Sequence, residues 1–263
     1  MTRVNGWIAL VSIICVGGLR ADAAKDAAAV FDKAADALES RKPAALWLLF
    51  DPAMPGYTHL RAETSDLLQV ATVESTIDIV KNEGDDSSRT MEVDWQMEIQ
   101  QQERGVSTTR RHAVVKCRLE RHDGPWRIAS FAPADLFAPT HAEEAWEDVA
   151  SAAAALSRPQ SRQPTDPTWF LSLFDGKMPG YETLRDGITA LLRRGDVESS
   201  IELVSNEGDD GTRNLQVDWR LQVLDDATGI AAIQKQQNVK LKMERQGKHW
   251  KVTAVEPLAF FGQ

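Results

Sequence analysis

The second half of the chain repeats the first half at a constant spacing of 124 residues. The alignment needs no gap over residues 49–99, where about half of the positions are identical 124 residues further on, and it resumes over residues 111–137. The most specific match is the sequence Asn-Glu-Gly-Asp-Asp, at residues 82–86 and again at 206–210. Repeats of this length exceed the roughly 20–50 residues of solenoid units. The sequence therefore predicts a duplicated domain with its join around Pro139.

Two helices are predicted at the start of each copy. Residues 24–38 are rich in alanine and place their larger apolar side chains on one face, which predicts a first helix that ends before Pro43. Pro55 and Gly56 then occupy the central positions of a predicted type II turn. Beyond this turn an apolar stripe at helical spacing predicts a second helix. The stripe consists of Tyr57, Leu60, Thr64, Leu67 and Leu68.

After the second helix, apolar residues alternate with polar ones. Residues 75–80 and 91–99 flank a turn-rich segment, and residues 113–119 and 126–131 flank another, which predicts two β-hairpins in each copy. Helices followed by antiparallel strands are typical of an α+β domain with one covered sheet face. The sequence thus predicts two tandem α+β domains, each with N-terminal helices packed on a curved antiparallel sheet of about four strands.

The N-terminus predicts a secretory signal peptide. Arg3 supplies a positive start, residues 7–19 form an apolar run, and Ala21 and Ala23 provide the small residues that precede a cleavage site. An uncleaved anchor is the alternative, but the run is shorter than the roughly 20 residues of a membrane-spanning helix. We therefore expect a periplasmic or secreted protein with no membrane span after cleavage. The predicted division is a signal peptide at 1–23, a first domain at 24–139 and a second domain at 140–263.

Charge and cysteine content exclude some partners and some chemistry. The formal net charge is −9, and Lys/Arg runs are no longer than pairs such as Arg110-Arg111, so nucleic acid is not expected as a partner. Cys117 is the only cysteine left after cleavage, which excludes an intrachain disulfide. Its place on the apolar side of a strand predicts a buried, inert thiol.

The order and length of these predicted elements resemble the NTF2-like superfamily, the cone-shaped fold of nuclear transport factor 2, SnoaL-like polyketide cyclases and ketosteroid isomerase. The resemblance extends over nearly all of the mature chain, once per copy, and residues 250–252 and 257–261 look like the last strand of such domains. It implies a concave pocket between helices and sheet, often with a ligand or catalytic site, and frequent dimerisation. The two copies would then form an intramolecular pseudo-dimer. Because this fold hosts unrelated functions, function has to be argued from particular residues.

A catalytic site of the kind this superfamily uses is not predicted. Its proton-transferring enzymes place a carboxylate or histidine inside the cone, where burial raises the pKa of a carboxylate. Here Asp94 and Asp218 have the parity of the opposite, polar face. A buried carboxylate with a shifted pKa in an open cone would contradict this interpretation. The positions predicted to point inward are Val93, Trp95, Met97, Val115, Cys117, Leu119 and Trp126.

Metal ions and cofactors are not expected. The five histidines show no metal-ligand spacing, and none has a histidine 124 residues away; they are His59, His112, His122, His141 and His249. The acidic turns at residues 83–86 and 207–210 offer oxygen ligands for Ca²⁺, but three acids in one tight turn lack the spread that this ion needs. Solvated hairpin turns are the expected interpretation.

Four aromatic residues are candidate ligand contacts. Trp95 and Trp219 lie in the middle of inward-facing strand positions, where an indole offers both area and an N–H donor. Tyr57 and Tyr181 begin the second helix of each copy and would donate a hydrogen bond into a pocket. The alternative is that these side chains fill the cones as core, in which case no pocket remains.

The leading hypothesis is an exported, non-catalytic tandem NTF2-like protein that binds an envelope partner protein or a small apolar ligand. The alternative is a SnoaL-like or ketosteroid-isomerase-like enzyme with one active copy. That alternative needs a residue without a counterpart, such as His112, which aligns with Gln236, to face the cavity. In a third hypothesis, the polar sheet faces pair the two domains or build a larger envelope assembly. These faces include Gln216, Asp218, Arg220, Lys240 and Lys242.

Overall fold

The structure is a computed structural model that describes residues 17–102, 105–157, 167–224 and 231–262. The first half forms α1 Gly17–Glu39, α2 Pro43–Trp47, α3 Tyr57–Val70, β1 Ala71–Gly84, β2 Ser88–Gln101, β3 Val106–Glu120 and β4 Arg127–Ala132. The second half forms α4 Ala142–Leu156, α5 Thr168–Leu171, α6 Tyr181–Leu192, β5 Asp196–Gly208, β6 Thr212–Leu224, β7 Ala231–Gln246, β8 His249–Glu256 and a closing 3-10 helix, Leu258–Phe261. Helices precede strands in both halves, which confirms the predicted α+β class.

The turn before α3 has the predicted geometry. Gly56 has φ +81° and Gly180, before α6, has φ +80°. The backbone N–H of Tyr57 donates to the carbonyl oxygen of Met54 at 3.3 Å, which closes the four-residue turn. A type II turn requires positive φ at its third residue, and glycine adopts this conformation without steric cost.

All the strands belong to one large, mostly antiparallel sheet. Strands β1 to β4 pair antiparallel in chain order, and β5 to β8 do the same. The two sets are joined where Val106–Thr109 of β3 pairs parallel with Ser205–Gly208 of β5.

The continuous sheet differs from the two separate sheets that the sequence predicts. Strand β4 is short and pairs only with Lys116–Glu120 of β3, so the first residues of β3 keep a free edge. That edge can accept the end of β5, because unpaired backbone groups at a sheet edge are a template for another strand. Within the described residues, the two halves therefore meet where the edges of β3 and β5 pair.

Each half has its own apolar core. One cluster of buried side chains runs from Ala23 to Phe137, and the other runs from Ala145 to Phe261. Strand β2 shows the alternation clearly, since Met91, Val93 and Trp95 are each 0% exposed and the residues between them are not buried. None of the helices in the described ranges is long and apolar enough to cross a membrane.

Candidate binding site

Trp95 lies inside the first core and its polar group is already bonded. The side chain is 0% exposed, and the indole Nε1–H donates to Ser75 Oγ at 2.8 Å. Three phenylalanine rings meet it edge to face, with the Phe137 centroid at 5.5 Å. Such edge-to-face contacts favour a fixed, closely packed aromatic cluster.

Trp219 repeats this arrangement in the second core. It is 0% exposed, its Nε1–H donates to Ser199 Oγ at 2.9 Å, and the Phe261 ring centroid lies 5.0 Å away. Tyr57 and Tyr181 are half-buried and pack against the first and second core, respectively. The four candidate contacts are divided between the two cores, with one tryptophan and one tyrosine in each. Their role in ligand binding stays a prediction.

Two clefts occupy matching places in the two halves. Each lies between the first helix of its half and the turn before the last strand, beside Trp126 in the first half and Trp250 in the second. Their volumes are about 380 Å³ and 390 Å³. This size falls within the range of pockets that hold small molecules. We name them the first and second helix–hairpin clefts.

The lining of these clefts combines exposed apolar surface with ionisable side chains. Leu48 lines the first cleft and is 71% exposed, while Trp169 lines the second and is 74% exposed. The ionisable residues are Asp26, Lys33 and Arg121 in the first cleft and Asp148, His249 and Lys251 in the second. The indole N–H groups of Trp126 and Trp250 are buried beside the clefts and have no hydrogen-bond partner among the described residues. Each cleft can therefore take a ligand with an apolar part and a hydrogen-bond acceptor for the basic side chains.

A larger, polar groove lies on the outer face of β1 to β3. It has a volume of about 700 Å³ and is bordered by the β5–β6 turn at Asp209. His112 lines this groove, and its Nε2 lies 2.6 Å from Asp94 Oδ1. The ring is 62% exposed on the polar side of the sheet, because His112 pairs with Gln96 and not with an inward residue. His112 therefore does not face the interior of the cone.

Glu63 on α3 is a buried carboxyl that the sequence analysis missed. Its side chain is 10% exposed, Oε1 lies 3.0 Å from His59 Nε2, and Oε2 has no partner among the described residues. Burial raises the pKa of Glu63, while the nearby His59 opposes this shift. The position aligns with Gly187, where a Cβ would lie 2.4 Å from the Phe261 carbonyl oxygen. Two signals in the sequence could have indicated a buried side chain: the spacing of Glu63 from Leu60 and Leu67 on one helix face, and the glycine at the matching position.

We expect Glu63→Gln to remove part of the pH dependence of stability. A carboxyl whose pKa is higher in the folded state binds its proton more tightly there, so its contribution to stability falls as pH rises from 4.5 through the folded pKa. The free energy of unfolding of Glu63→Gln minus that of the unmodified protein should therefore become more positive over this window and stay constant at higher pH. Urea unfolding from pH 4 to 8 measures this, with exposed Asp66→Asn on the same helix as the control. Parallel pH curves for Glu63→Gln and the unmodified protein would contradict it.

The acidic turn around Asp85 and the thiol of Cys117 both have structural explanations. Asp85 accepts the backbone N–H groups of Ser87 and Ser88, and these bonds lower its pKa to about 2. The acidic turn is thus organised by its own backbone. Burial raises the pKa of the Cys117 thiol to about 12, so this cysteine is protonated at neutral pH. Among the described residues, no group of three or more His, Cys, Asp or Glu side chains is arranged to hold a metal ion.

No protein-family model matches this sequence, and no curated protein matches it either. Solved structures give distant likenesses. A conserved protein from Planctomyces limnophilus is 12% identical with a TM-score of 0.39, and the match covers 43% of this chain and 94% of that chain. An LEH-like epoxide hydrolase from M. tuberculosis is 13% identical with a TM-score of 0.27, over 41% of this chain and 80% of that chain.

An Ntf2-like protein involved in plasmid conjugation matches over most of both chains. The match covers 87% of this chain and 96% of that chain, at 12% identity and a TM-score of 0.26. Identities and TM-scores this low do not show a shared function.

Proposed function

We propose that this chain is an exported, non-catalytic binding protein whose two halves are copies of one NTF2-like domain. Each copy binds a small apolar ligand in its helix–hairpin cleft. The observation that carries the proposal is the paired clefts themselves. Both halves fill the interior beside Trp95 and Trp219 with aromatic rings, yet both keep a cleft of similar volume at the matching place.

Matching contacts in the two halves support the duplication. The indole of Trp95 binds Ser75 as that of Trp219 binds Ser199. Phe50 forms a parallel bridge with Ile128, and a second parallel bridge lies 124 residues further on in both partners. Buried polar bonds and isolated bridges depend on exact side-chain placement, so their repetition is expected of two copies of one domain.

The ligand is proposed from the chemistry of the cleft lining. Leu48 and Trp169 leave large apolar surfaces exposed at the rims, and covering such surface is favourable by roughly 25 cal/mol per Å². Basic side chains in the lining, such as Arg121 in the first cleft and Lys251 in the second, favour a ligand with one acceptor, such as a carbonyl or ether oxygen. His249 and Asp148 line the second cleft, whereas no histidine among the described residues lines the first, so the matching clefts share no histidine–carboxylate pair.

Export is proposed from the predicted signal peptide and from helix α4. Helix α4 begins at Ala142, whose carbonyl oxygen accepts a hydrogen bond from Asn206 Nδ2 at 2.8 Å. Ala24 accepts the matching bond from Asn82 at 3.1 Å. These bonds make Ala24 the structural counterpart of Ala142. Cleavage after Ala23 would therefore make the first helix begin at the position that corresponds to the start of α4. The intact mass of protein purified from its source cells tests this, since removal of residues 1–23 must be seen.

We expect the apolar fluorescent probe N-phenyl-1-naphthylamine to bind the mature chain at two sites. Trp169→Ser should weaken the second cleft and Leu48→Ser the first, each by about tenfold, because loss of one large apolar contact costs on the order of 1–2 kcal/mol. Fluorescence titration of each variant should therefore show one site retained and one weakened. The double variant should weaken both.

The control is Val114→Ser, which removes an apolar side chain that is 52% exposed on the outer sheet face. It should bind the probe as the unmodified protein does. A binding curve that none of the cleft variants changes would contradict the assignment of the clefts. Native mass spectrometry of protein purified from its source cells then shows whether a small molecule of discrete mass is bound to the chain.

The alternative enzyme draws support from Glu63, which is buried, has a raised pKa and has no counterpart in the second half. It loses support from His112, which lies outside the cone, and from the absence of Glu63 in the lining of the clefts and groove described above. Proton exchange next to a carbonyl group, measured in D₂O with a panel of ketones and lost in Glu63→Gln, would favour the enzyme.

A further inference from the structure

The junction between the halves is an example of strand docking built into the chain. Where Val106–Thr109 lies along β5, Arg213 is fully buried beneath it. The Arg213 guanidinium donates to Thr109 Oγ1 at 2.8 Å, to the Thr108 carbonyl oxygen at 3.0 Å and to Ser107 Oγ at 3.3 Å. The docked strand thus supplies two hydroxyl groups and one carbonyl to a buried cation.

An ion pair completes this junction. Arg111, two residues beyond the paired segment, donates through Nε to Asp210 Oδ2 at 2.6 Å and through Nη2 to Asp210 Oδ1 at 3.1 Å. A bidentate pair of this kind fixes geometry and adds affinity. The docking strand therefore has a five-residue pattern, in which the first and third residues carry a hydroxyl group and the fifth is arginine. Ser107, Thr109 and Arg111 occupy these positions.

The first half has a matching site for a docked strand, centred on Arg89, but among the described residues no strand is docked there. Arg89 is 7% exposed and donates to Asn82 Oδ1 at 2.5 Å, as Arg213 does to Asn206. It lacks the three bonds that residues 107–109 give to Arg213. Asp86, the match of Asp210, has a carboxylate that no hydrogen bond or ion pair within the described chain uses.

The adjacent edge of β1 is open. Residues 81–84 pair with β2 on one side, and among the described residues no strand pairs with their other side. Open edges are used for recognition when a peptide adds itself as a further strand, with the backbone supplying affinity and side chains supplying specificity.

We propose that the β1 edge at residues 81–84 binds an extended segment of a partner protein, parallel to β1, with the pattern Ser/Thr, any residue, Ser/Thr, any residue, Arg. In the register of the internal junction, the first hydroxyl residue lies opposite Asn82 and the second opposite Gly84. Their hydroxyl groups complete the hydrogen bonding of Arg89. The arginine of the partner pairs with Asp86.

A second copy of this chain fits the edge less well. Its free strand that matches residues 107–111 is the start of β7, where Ala231 and Ile233 stand in place of the two hydroxyl residues. These side chains would cover the Arg89 guanidinium and offer it no acceptor, which is costly for a buried charge. Lys235, in place of Arg111, has a single ammonium group and cannot form the bidentate pair that Arg111 makes with Asp210.

The test uses the mature chain and a fluorescent peptide that copies its own residues 105–113, Gly-Val-Ser-Thr-Thr-Arg-Arg-His-Ala. Fluorescence anisotropy should show one binding site. Asp86→Asn should weaken binding by about five- to tenfold, because a charge-assisted bidentate pair is lost. A peptide with alanine for the serine and valine for the second threonine should bind at least about fivefold more weakly, since Arg89 gains no hydroxyl partner.

Asp210→Asn is the matched control, because Asp210 belongs to the edge that the chain's own β3 already covers. Peptide affinity that is unchanged in Asp210→Asn and reduced in Asp86→Asn supports the proposal. Absence of binding, or equal loss in both variants, overturns it. Self-association of the chain that both Asp86→Asn and Lys235→Ala abolish would also overturn it, because a second copy would then be the occupant.

Discussion

Arg213→Ala is expected to lower the free energy of unfolding by about 3–5 kcal/mol, the usual cost of breaking a buried, hydrogen-bonded charge network. Arg213 is 0% exposed, and burial lowers its pKa to about 10. Its removal leaves the hydroxyl groups of Ser107 and Thr109 and the side chain of Asn206 without their main partner. Urea unfolding followed by circular dichroism measures the loss.

Arg89→Ala provides the matched comparison, because Arg89 makes the same bonds within its own hairpin and none across the junction. We expect it to cost about 1–2 kcal/mol, as for a small number of hydrogen bonds to a charged group. The difference between the two variants measures what the junction adds. Equal losses would show that Arg213 stabilises only its own hairpin and that the halves meet without it.

The second large effect is expected for Trp219→Ala, which should cost about 3–5 kcal/mol because a fully buried indole leaves a cavity that the surrounding rings fill only in part. The indole meets the rings of Phe170, Phe260 and Phe261, and its loss also leaves Ser199 Oγ without its donor. Trp219→Phe should cost about 1–2 kcal/mol, since most of the volume is kept. Urea unfolding compares the two.

Trp169→Ala is the control for size and chemistry, because this indole is 74% exposed. Its effect on stability should stay within about 0.5 kcal/mol, as for surface substitutions in general. A small loss in Trp219→Ala would mean that the interior has room to rearrange. Probe binding that is lost in Trp95→Phe or Trp219→Phe with stability retained would support these indoles as ligand contacts and contradict the clefts.

The elements of the fold could be predicted because they depend on neighbours in sequence. The alternation from Met91 to Ile99 predicted which side chains of β2 are buried, and the Pro55-Gly56 turn predicted the start of α3. The strands themselves are longer than predicted, since β1 begins at Ala71 and β3 at Val106. Polar residues at strand ends give no periodic signal, and hydrogen bonding to a neighbouring strand decides where pairing stops.

The clefts could not be located from the sequence. Trp95 and Trp219 were candidate ligand contacts with core filling as the alternative, and their role in binding stays a prediction; the clefts are lined by Trp126 and Trp250. Alternation along a strand gives the face on which a side chain lies. It does not give the fit between one helix and one hairpin turn, and that fit leaves these two clefts open.

By itself, the sequence determined the repeated order of helices and strands, the apolar and polar faces of each strand, and the turns at Gly56 and Gly180, because these follow from side-chain spacing and from backbone sterics. Only the tertiary structure decided that the strands form one sheet, that Arg213 is buried and that Glu63 is enclosed. These outcomes depend on residues about 100 positions apart meeting, as Thr109 meets Arg213. The identity of a charged residue in the sequence does not reveal whether water or a distant strand surrounds its side chain.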